Sequence, residues 1–191
     1  MDPKDEDELA DMLYSAMQYD GPIAVRYPRG VGPGTAVKDV PRAIPIGKAE
    51  LLQHGENDRV AILALGTTVP VAMEIASKLE GEGVSAAVIN ARFAKPIDRE
   101  MVEFYAQHVD VILTVEDHVL AGGFGSAVLE AVSSSGNQTP VVRVGWPDQF
   151  IEHGKPDDLR AKYGISVQAA LDKLRPHLRP CWTPNVVVRN A

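Results

Sequence analysis

After residue 46, apolar and polar positions follow one another in a repeated order. Short apolar runs, typical of strands in a parallel sheet, are separated by segments whose apolar residues have helical spacing. The predicted strands are Lys48–Gln53 at an edge, Val60–Leu65, Ser85–Asn90, Val109–Val115 and Val141–Val144, and the predicted helices cover about residues 69–82, 98–107, 125–134, 157–162 and 166–174. Units of this kind predict an α/β fold with three layers, α/β/α, around a mostly parallel but mixed sheet of about five strands.

The first 30 residues combine one predicted helix with one predicted strand. Residues 5–18 begin with an acidic turn, which suits the positive end of a helix dipole, and continue with apolar residues at helical spacing. Those apolar residues are Leu9, Met12, Leu13 and Met17. Gly21-Pro22 then ends the helix, and Ile23–Val25 is predicted to form a short buried strand.

Residues 31–45 separate this N-terminal part from the predicted sheet. Glycine and proline are concentrated at Gly32-Pro33-Gly34, and further prolines follow, so we expect a linker and a domain boundary here. Residues 46–178 are then predicted to fold around one core. Residues 179–191 show no periodic pattern, and we expect them to be poorly ordered or foreign to the domain.

The overall composition excludes several classes of function. A chain of 191 residues with 45% hydrophobic residues fits one globular domain with an appendage. The formal net charge of −7 argues against a nucleic-acid partner, which needs a basic face. No apolar run approaches the roughly 20 residues of a membrane span, so no membrane contact is expected. Cys181 is the single cysteine, which excludes an internal disulfide, and a reducing cytoplasm is the expected compartment.

Two arginines stand out at the end of the predicted N-terminal strand. Tyr27-Pro28 restricts the backbone between Arg26 and Arg29, so both guanidinium groups are expected to project from a rigid strand end. Arginine is suited to bidentate phosphate binding. The alternative is that these arginines form ion pairs with the acidic helix at residues 5–18, or bind linker carbonyl groups. The residues alone favour neither.

Two candidate segments stand at the ends of predicted strands. Gly66-Thr67-Thr68 could bind an anion at the start of a helix, although a tight turn with a threonine cap is the simpler interpretation. Glu116-Asp117-His118 could be an acid–base pair beside a phosphate cradle formed by the next glycine-rich loop. The structural alternative is that glycine lets the following helix pack tightly against a neighbouring surface. The glycines of that loop are Gly122, Gly123 and Gly125.

A third cluster follows the last predicted strand. Asp148, Glu152 and His153 could be considered as metal ligands, but they do not form a closed ligand set, and no metal site is predicted. Trp146 and Phe150 lie among them, which favours a loop that packs on the core or on another chain.

Several stretches, in order along residues 2–178, resemble the 1-deoxy-D-xylulose-5-phosphate synthase family of the transketolase superfamily. The most specific are Arg26-Tyr27-Pro28-Arg29-Gly30 and residues 145–154, which read Gly-Trp-Pro-Asp-Gln-Phe-Ile-Glu-His-Gly. The others are Asp5–Leu9 with Met12-Leu13, Gly21–Val25, Ile46–Lys48, Ala64–Thr67, Asn90–Asp98, Thr114–His118 and Gly122–Ser126. The resemblance implies that residues 1–30 are the end of a pyrimidine-binding domain and that residues 46–178 are a transketolase C-terminal domain.

The resemblance also implies a chemistry. Enzymes of this family decarboxylate pyruvate on thiamine diphosphate and join the two-carbon unit to glyceraldehyde 3-phosphate, which feeds isoprenoid, thiamine and pyridoxal synthesis. The Gly-Asp-Gly motif that binds diphosphate and Mg²⁺, and the glutamate that activates the cofactor, have no match in this chain. No catalytic residue is therefore expected here, and the chain alone is expected to be inactive. Arg29 matches the family's substrate-phosphate arginine, with Arg26 and Tyr27 in support.

The expected partners follow from the same resemblance. The C-terminal domain of this family helps to form a homodimer, and the loops around Glu116–Gly125 and Trp146–His153 are candidate interface segments. The chain is expected to be the C-terminal part of a synthase whose other domains lie in the same or another polypeptide. The alternatives are a stand-alone interaction subunit that pairs with a cofactor-binding chain, and a ligand-binding regulatory module that uses the Gly66 or Gly122 loop.

Overall fold

A computed structural model describes residues 1–178. Its helices are α1 (Glu6–Gln18), α2 (Val69–Gly81), α3 (Arg99–His108), α4 (Phe124–Ser134), α5 (Pro156–Lys162) and α6 (Val167–Leu174). Its strands are β1 (Glu50–Gln53), β2 (Val60–Leu65), β3 (Ala86–Asn90), β4 (Val111–Val119) and β5 (Val141–Trp146), with short 3₁₀ turns at Gly66–Thr68 and Arg175–His177. The expectation of a poorly ordered tail at residues 179–191 lies outside the described residues.

The five strands form one mixed sheet in the order β1-β3-β2-β4-β5. Strands β2 to β5 are parallel, and β1 pairs with β3 in the antiparallel direction at the edge. One core cluster lies between the sheet and helices α2 and α6, and a second lies between the opposite face and helices α3 and α4. The three-layer α/β/α fold predicted from the sequence is confirmed.

The central strands β2 and β3 are buried along their whole length, and apolar except for Asn90, because helices cover both faces of the sheet. All six residues of β2 and all five residues of β3 are buried.

Capping side chains mark the starts of two helices. Asp98 caps α3 by accepting a hydrogen bond from the backbone N–H of Met101 at 3.2 Å, and Ser166 caps α6 in the same way, by accepting one from Ala169. The predicted threonine cap of α2 is wrong, since Thr68 instead donates its hydroxyl to the carbonyl of Val115 at 2.7 Å.

Helix α1 forms as predicted, but its buried face differs from the predicted one. Asp5 caps it by accepting a hydrogen bond from the backbone N–H of Glu8 at 2.8 Å. The buried residues are Glu8, Met12 and Ser15, while Leu13 is exposed and Met17 is 84% exposed. The reason is that polar groups of the α/β domain and the linker contact this helix, so polar side chains occupy its inner face.

The predicted strand at Ile23–Val25 is not formed. Two backbone hydrogen bonds pair this segment with the first residue, from the Met1 amino group to the Ala24 carbonyl at 2.8 Å and from the Arg26 N–H to the Met1 carbonyl at 2.9 Å. The segment is irregular and only partly buried. Two hydrogen bonds to one residue do not make the repeated pairing that a β-sheet requires.

The linker is held along α1 by side chains of that helix. Glu6 accepts hydrogen bonds from the backbone N–H groups of Gly34 and Thr35, and Ser15 accepts one from Ile44 at 2.7 Å. Between them, Asp7 and Asp11 accept from the N–H groups of Lys38 and Arg42 and both pair with the Lys38 ammonium group. The acidic side chains in the first turns of α1 therefore bind backbone N–H groups of the linker.

Candidate functional site

The carboxyl ends of the parallel strands, where α/β proteins commonly bind ligands, are covered by the N-terminal segment. Asp2 lies directly on the turn at Gly66, where an added methyl group would come within 2.1 Å of the Asp2 Oδ1 atom. The Asp2 N–H also donates to the Arg92 carbonyl at 2.9 Å. Gly66 has a φ of +62°, so the predicted tight turn is present. Its anion-binding alternative has no support in the geometry, since a carboxylate of the same chain fills the space.

A buried ionic network fastens α1 to the ends of β3 and β1. Glu8 is 2% exposed and accepts hydrogen bonds from the Asn90 side-chain amide at 2.8 Å and from Arg92 Nε at 2.7 Å. Arg92 also pairs with Glu50 at 3.0 Å, and Lys4 lies within 3.6 Å of Glu8. Buried charges are tolerated when they are paired in this way. The network therefore fixes the N-terminal helix on the sheet.

Arg26 links the N-terminal segment to strand β4. Its Nε and Nη2 atoms donate to Asp2 Oδ2 at 2.9 and 2.5 Å, and its Nη1 atom donates to the backbone carbonyl of Asp117 at 3.0 Å. Arg26 therefore forms an ion pair, which was one of its two predicted roles. Its partner is Asp2, which precedes the acidic helix rather than lying in it. Arg29, in contrast, is exposed, and no hydrogen bond or ion pair joins it to the rest of residues 1–178.

Asp117 connects the two motifs that carried the resemblance. Its carboxylate accepts hydrogen bonds from Trp146 Nε1 at 2.5 Å and from Arg160 Nη2 at 2.9 Å, while its carbonyl binds Arg26. Asp117 lies within β4, which continues to Val119. The predicted strand end at Val115 is therefore wrong, while Glu116-Asp117-His118 stand in the last part of the strand. The polar residues lengthen β4 because its end pairs with the Trp146 end of β5.

Glu116 occupies the start of α4. Its carboxylate is fully buried and accepts hydrogen bonds from the backbone N–H groups of Phe124 at 2.7 Å and Gly125 at 2.9 Å. Burial raises the pKa of the Glu116 carboxyl, while the two N–H groups act in the opposite direction. Added methyl groups would lie 2.5 Å from Glu116 at Gly123 and 2.8 Å from it at Gly125. The tight-packing alternative for this loop therefore matches the geometry, and the amides of the supposed phosphate cradle already bind Glu116.

An open cleft of about 540 Å³ separates the arginine motif from the segment after β5. Apolar side chains from Trp146 to Leu159 form much of its wall. The polar residues that line it are Arg26, Asp117, His118, Gln149 and Arg160. His118 is exposed at its edge. The structure thus brings the first motif, Glu116–His118 and the second motif to one side of the sheet.

Several predicted site residues lie outside this contact network. Tyr27, Gly122, Asp148 and His153 are exposed, and Phe150 is 104% exposed. Glu152 binds Lys162 and accepts a hydrogen bond from the Tyr163 hydroxyl at 2.5 Å; first Lys162 and then Tyr163 lower the pKa of Glu152 to about 2. These contacts close the loop before α5.

The residues that hold the site together are not apparent from periodicity or from the motifs. Asp2, Glu8, Asn90 and Arg160 were not singled out, yet each binds a side chain that is distant in the sequence. Asn90, a polar residue at the end of a buried strand, was the one signal available, because a buried amide needs a partner.

The described residues do not fit the diphosphate and Mg²⁺ of the resembled family. Within residues 1–178, no group of three or more histidine, cysteine, aspartate or glutamate side chains could hold a metal ion. At the start of α4, the backbone N–H groups of Phe124 and Gly125 already bind Glu116. Within the same part of the chain, no helix is long and apolar enough to cross a membrane.

Comparison with known proteins places these features in a family. A family model described as the transketolase C-terminal domain matches residues 47–169. The 1-deoxy-D-xylulose-5-phosphate synthase of Acidobacterium capsulatum is 61% identical over 178 residues, which are 93% of this chain and 28% of the relative. The synthase of Methylacidiphilum infernorum is 59% identical, over 91% of this chain and 27% of the relative. The chain therefore spans little more than a quarter of the length of these relatives.

The structural comparison gives the same fold. A solved split-gene transketolase, described as an inactive beta4 tetramer, superimposes with a TM-score of 0.81 and 33% identity. The match covers 92% of this chain and 56% of that chain. The resemblance to this synthase family, predicted from the ordered motifs, is confirmed.

Proposed function

The chain belongs to the transketolase C-terminal-domain family, and from that premise we propose that it acts as the C-terminal part of a 1-deoxy-D-xylulose-5-phosphate synthase. The observation that carries the proposal is the 61% identity to a synthase of that name along 93% of this chain. The whole enzyme would be a transferase of isoprenoid, thiamine and pyridoxal precursor synthesis, located in the cytoplasm. Its reaction would condense pyruvate with glyceraldehyde 3-phosphate.

In this proposal the chain contributes substrate binding and architecture rather than the reacting groups. Arg29 would bind the phosphate of glyceraldehyde 3-phosphate, because a guanidinium group can make two charge-assisted hydrogen bonds to it. Its exposure and its lack of partners within residues 1–178 support this role, since a free guanidinium is available to a ligand. Thiamine diphosphate and Mg²⁺ would be bound by other domains of the enzyme, and the isolated chain would have no activity.

We also propose that the chain forms a homodimer. The candidate surface is the segment after β5, where Phe150 is 104% exposed; Phe124 and Gly125 of the other candidate loop are buried within the protein. A fully exposed aromatic side chain could pack against a second copy of the chain, and two-fold dimers are the commonest assembly among soluble oligomers.

A second candidate is a separate subunit that pairs with a cofactor-binding chain. One observation favours it: the solved structure that superimposes with a TM-score of 0.81 is a split-gene transketolase. The two candidates differ in whether the remaining domains must be covalently attached. No specific observation favours the regulatory-module alternative: Asp2 fills the Gly66 turn, and Glu116 binds the backbone N–H groups of Phe124 and Gly125 in the Gly122 loop.

The experiment that tests the proposal is a hybrid enzyme. The segment of the Acidobacterium capsulatum synthase that matches this chain is replaced by the chain itself, and product formation from pyruvate and glyceraldehyde 3-phosphate is measured. The proposal expects activity within about tenfold of the parent enzyme, a loss of no more than about 1.4 kcal/mol in transition-state stabilisation. A folded hybrid without activity would contradict it. Supplying the same parent domains as a separate polypeptide tests the second candidate, which expects activity on mixing.

A further inference from the structure

Arg29 lies in the middle of a loop whose own groups make no polar contacts. From Tyr27 to Pro33, no backbone or side-chain group forms a hydrogen bond or ion pair with another of residues 1–178. Tyr27 is 59% exposed and Val31 is 103% exposed, so packing along the middle of the loop is sparse. Whatever holds Arg29 in place must therefore act at the two ends of the loop.

The first end is fixed by Arg26. This side chain donates two hydrogen bonds to Asp2 and one to the Asp117 carbonyl of β4, and its backbone N–H donates to Met1. Asp2 is itself buried against Gly66, at the carboxyl end of β2. One residue thus ties the start of the loop to two neighbouring strands of the sheet.

The second end is fixed by Glu6. Its Oε1 atom accepts a hydrogen bond from the Gly34 N–H at 2.8 Å, and its Oε2 atom accepts one from the Thr35 N–H at 3.2 Å. The carboxylate also lies against Gly32, where an added methyl group would be 2.2 Å from Oε1. Glu6 is on α1, which the Glu8 network fastens to the sheet.

We propose that Arg26 and Glu6 are positioning residues that clamp the two ends of the Arg29 loop and so hold its guanidinium group ready for a substrate phosphate. The inference rests on the proposed function for the identity of the phosphate, but the clamping itself does not. The α/β domain takes part through the Asp117 carbonyl, which gives this domain an indirect role in acceptor binding.

The physical basis is conformational entropy. A loop that is fixed at both ends loses less freedom when Arg29 binds a phosphate than a loop with one free end. Each backbone residue that must be ordered on binding adds an entropic cost, so release of one clamp is expected to weaken phosphate binding about tenfold.

The first arm of the test uses the full chain alone. Backbone ¹⁵N relaxation is measured for the five non-proline residues between 27 and 33 in the parent chain, in Arg26→Ala and in Glu6→Ala, because proline has no backbone N–H. The control is Arg175→Ala, which removes ion pairs to Glu82 and Asp172 far from the loop. The proposal expects lower order parameters in the loop for both clamp variants and no change for the control. Unchanged loop dynamics in a folded Arg26→Ala or Glu6→Ala chain would overturn it.

The second arm uses the hybrid enzyme. Arg26→Ala and Glu6→Ala should each raise the KM for glyceraldehyde 3-phosphate about tenfold and leave kcat and the KM for pyruvate nearly unchanged. Arg26→Lys keeps the positive charge but cannot donate two parallel hydrogen bonds to Asp2. Its KM for glyceraldehyde 3-phosphate should lie between those of the parent and Arg26→Ala. If Arg29→Ala raises the acceptor KM and the clamp variants do not, the clamp proposal is wrong while the proposed function stands. If Arg29→Ala itself lacks that selectivity, the proposed phosphate role fails, and the relaxation arm still decides the clamp.

Discussion

The backbone N–H of Gly125 lies 2.9 Å from the fully buried carboxylate of Glu116, to which it donates a hydrogen bond. Together with the Phe124 N–H, it satisfies a carboxylate that the neighbouring strands have removed from water. The first turn of α4 can approach β4 this closely because residue 125 has no side chain. The glycine-rich loop therefore has a packing role, and the anion that its N–H groups bind is the carboxylate of Glu116.

Substitution of Gly125 tests this close approach. In Gly125→Ala, the new methyl group would lie 2.5 Å from Thr114 Oγ1 and 2.8 Å from Glu116 Oε1, so the helix start must move. Overpacking of this kind is expected to lower the free energy of unfolding by about 1–3 kcal/mol. The control is Gly81→Ala at the end of α2, where an added methyl group meets no atom within 4 Å. Urea unfolding should separate the two variants; equal stability would contradict the packing role.

The contact between Glu6 and the linker predicts a pH dependence. The hydrogen bond from Gly34, followed by other backbone N–H contacts, holds the pKa of the Glu6 carboxyl below its usual value of 4.5. Because the folded pKa is lowered, the linker contact is fully present above pH 4.5 and is lost as the pH falls through the folded pKa.

That dependence can be followed by NMR. The amide resonances of Gly34 and Thr35 should move together with a midpoint below pH 4.5, and the same titration should be absent in Glu6→Gln. The Ala169 amide serves as an internal reference, because it donates its hydrogen bond to the Ser166 hydroxyl and not to a carboxylate. A midpoint at or above 4.5 would contradict the contact.

The proposed homodimer makes a prediction about Phe150. Because this ring is 104% exposed and forms none of the described polar contacts, Phe150→Asp should weaken association without unfolding the chain. Trp146 is a poorer probe, since its indole N–H binds Asp117 within the protein. Light scattering at micromolar concentration should give twice the mass of the 20.6 kDa chain for the parent and for the control Met73→Asp, and a lower mass for Phe150→Asp. A monomeric parent would rule the dimer out.

The isolated chain is predicted not to bind thiamine diphosphate with Mg²⁺. The residues from 1 to 178 provide no metal-ligand cluster, and the N–H groups at the start of α4 are already bonded to Glu116. Titration calorimetry of the chain with cofactor and Mg²⁺ should show no binding heat, whereas the intact Acidobacterium capsulatum synthase should bind as the positive control. Micromolar binding by the isolated chain would show that the domain assignment is wrong.

The periodic part of the sequence predicted most of the fold. The strands and helices after residue 46 were found because Val60–Leu65 and its neighbours are apolar on both faces, which is a local property. The buried face of α1 was predicted wrongly because its partners are polar. Glu8 is buried by Asn90 and Arg92, which lie more than 80 residues away, and no periodicity reveals such a pairing.

The site was only partly visible for the same reason. The motif residues Arg26, Asp117 and Trp146 were singled out, but their mutual contacts depend on the sheet order that brings β4 beside β5. Asp2, which binds Arg26 and covers Gly66, has no sequence signal apart from its charge. Long-range ion pairs of this kind can be recognised only when the order of the strands in the sheet is known.

The central claim is that this chain supplies the phosphate-binding arginine of a synthase, and steady-state kinetics of Arg29→Ala in the hybrid enzyme tests it most directly. Loss of a bidentate, charge-assisted contact is worth about 1.5–3 kcal/mol, so the KM for glyceraldehyde 3-phosphate should rise roughly ten- to a hundredfold. The KM for pyruvate should stay nearly unchanged. An equal loss for both substrates, or no loss for either, would contradict the claim.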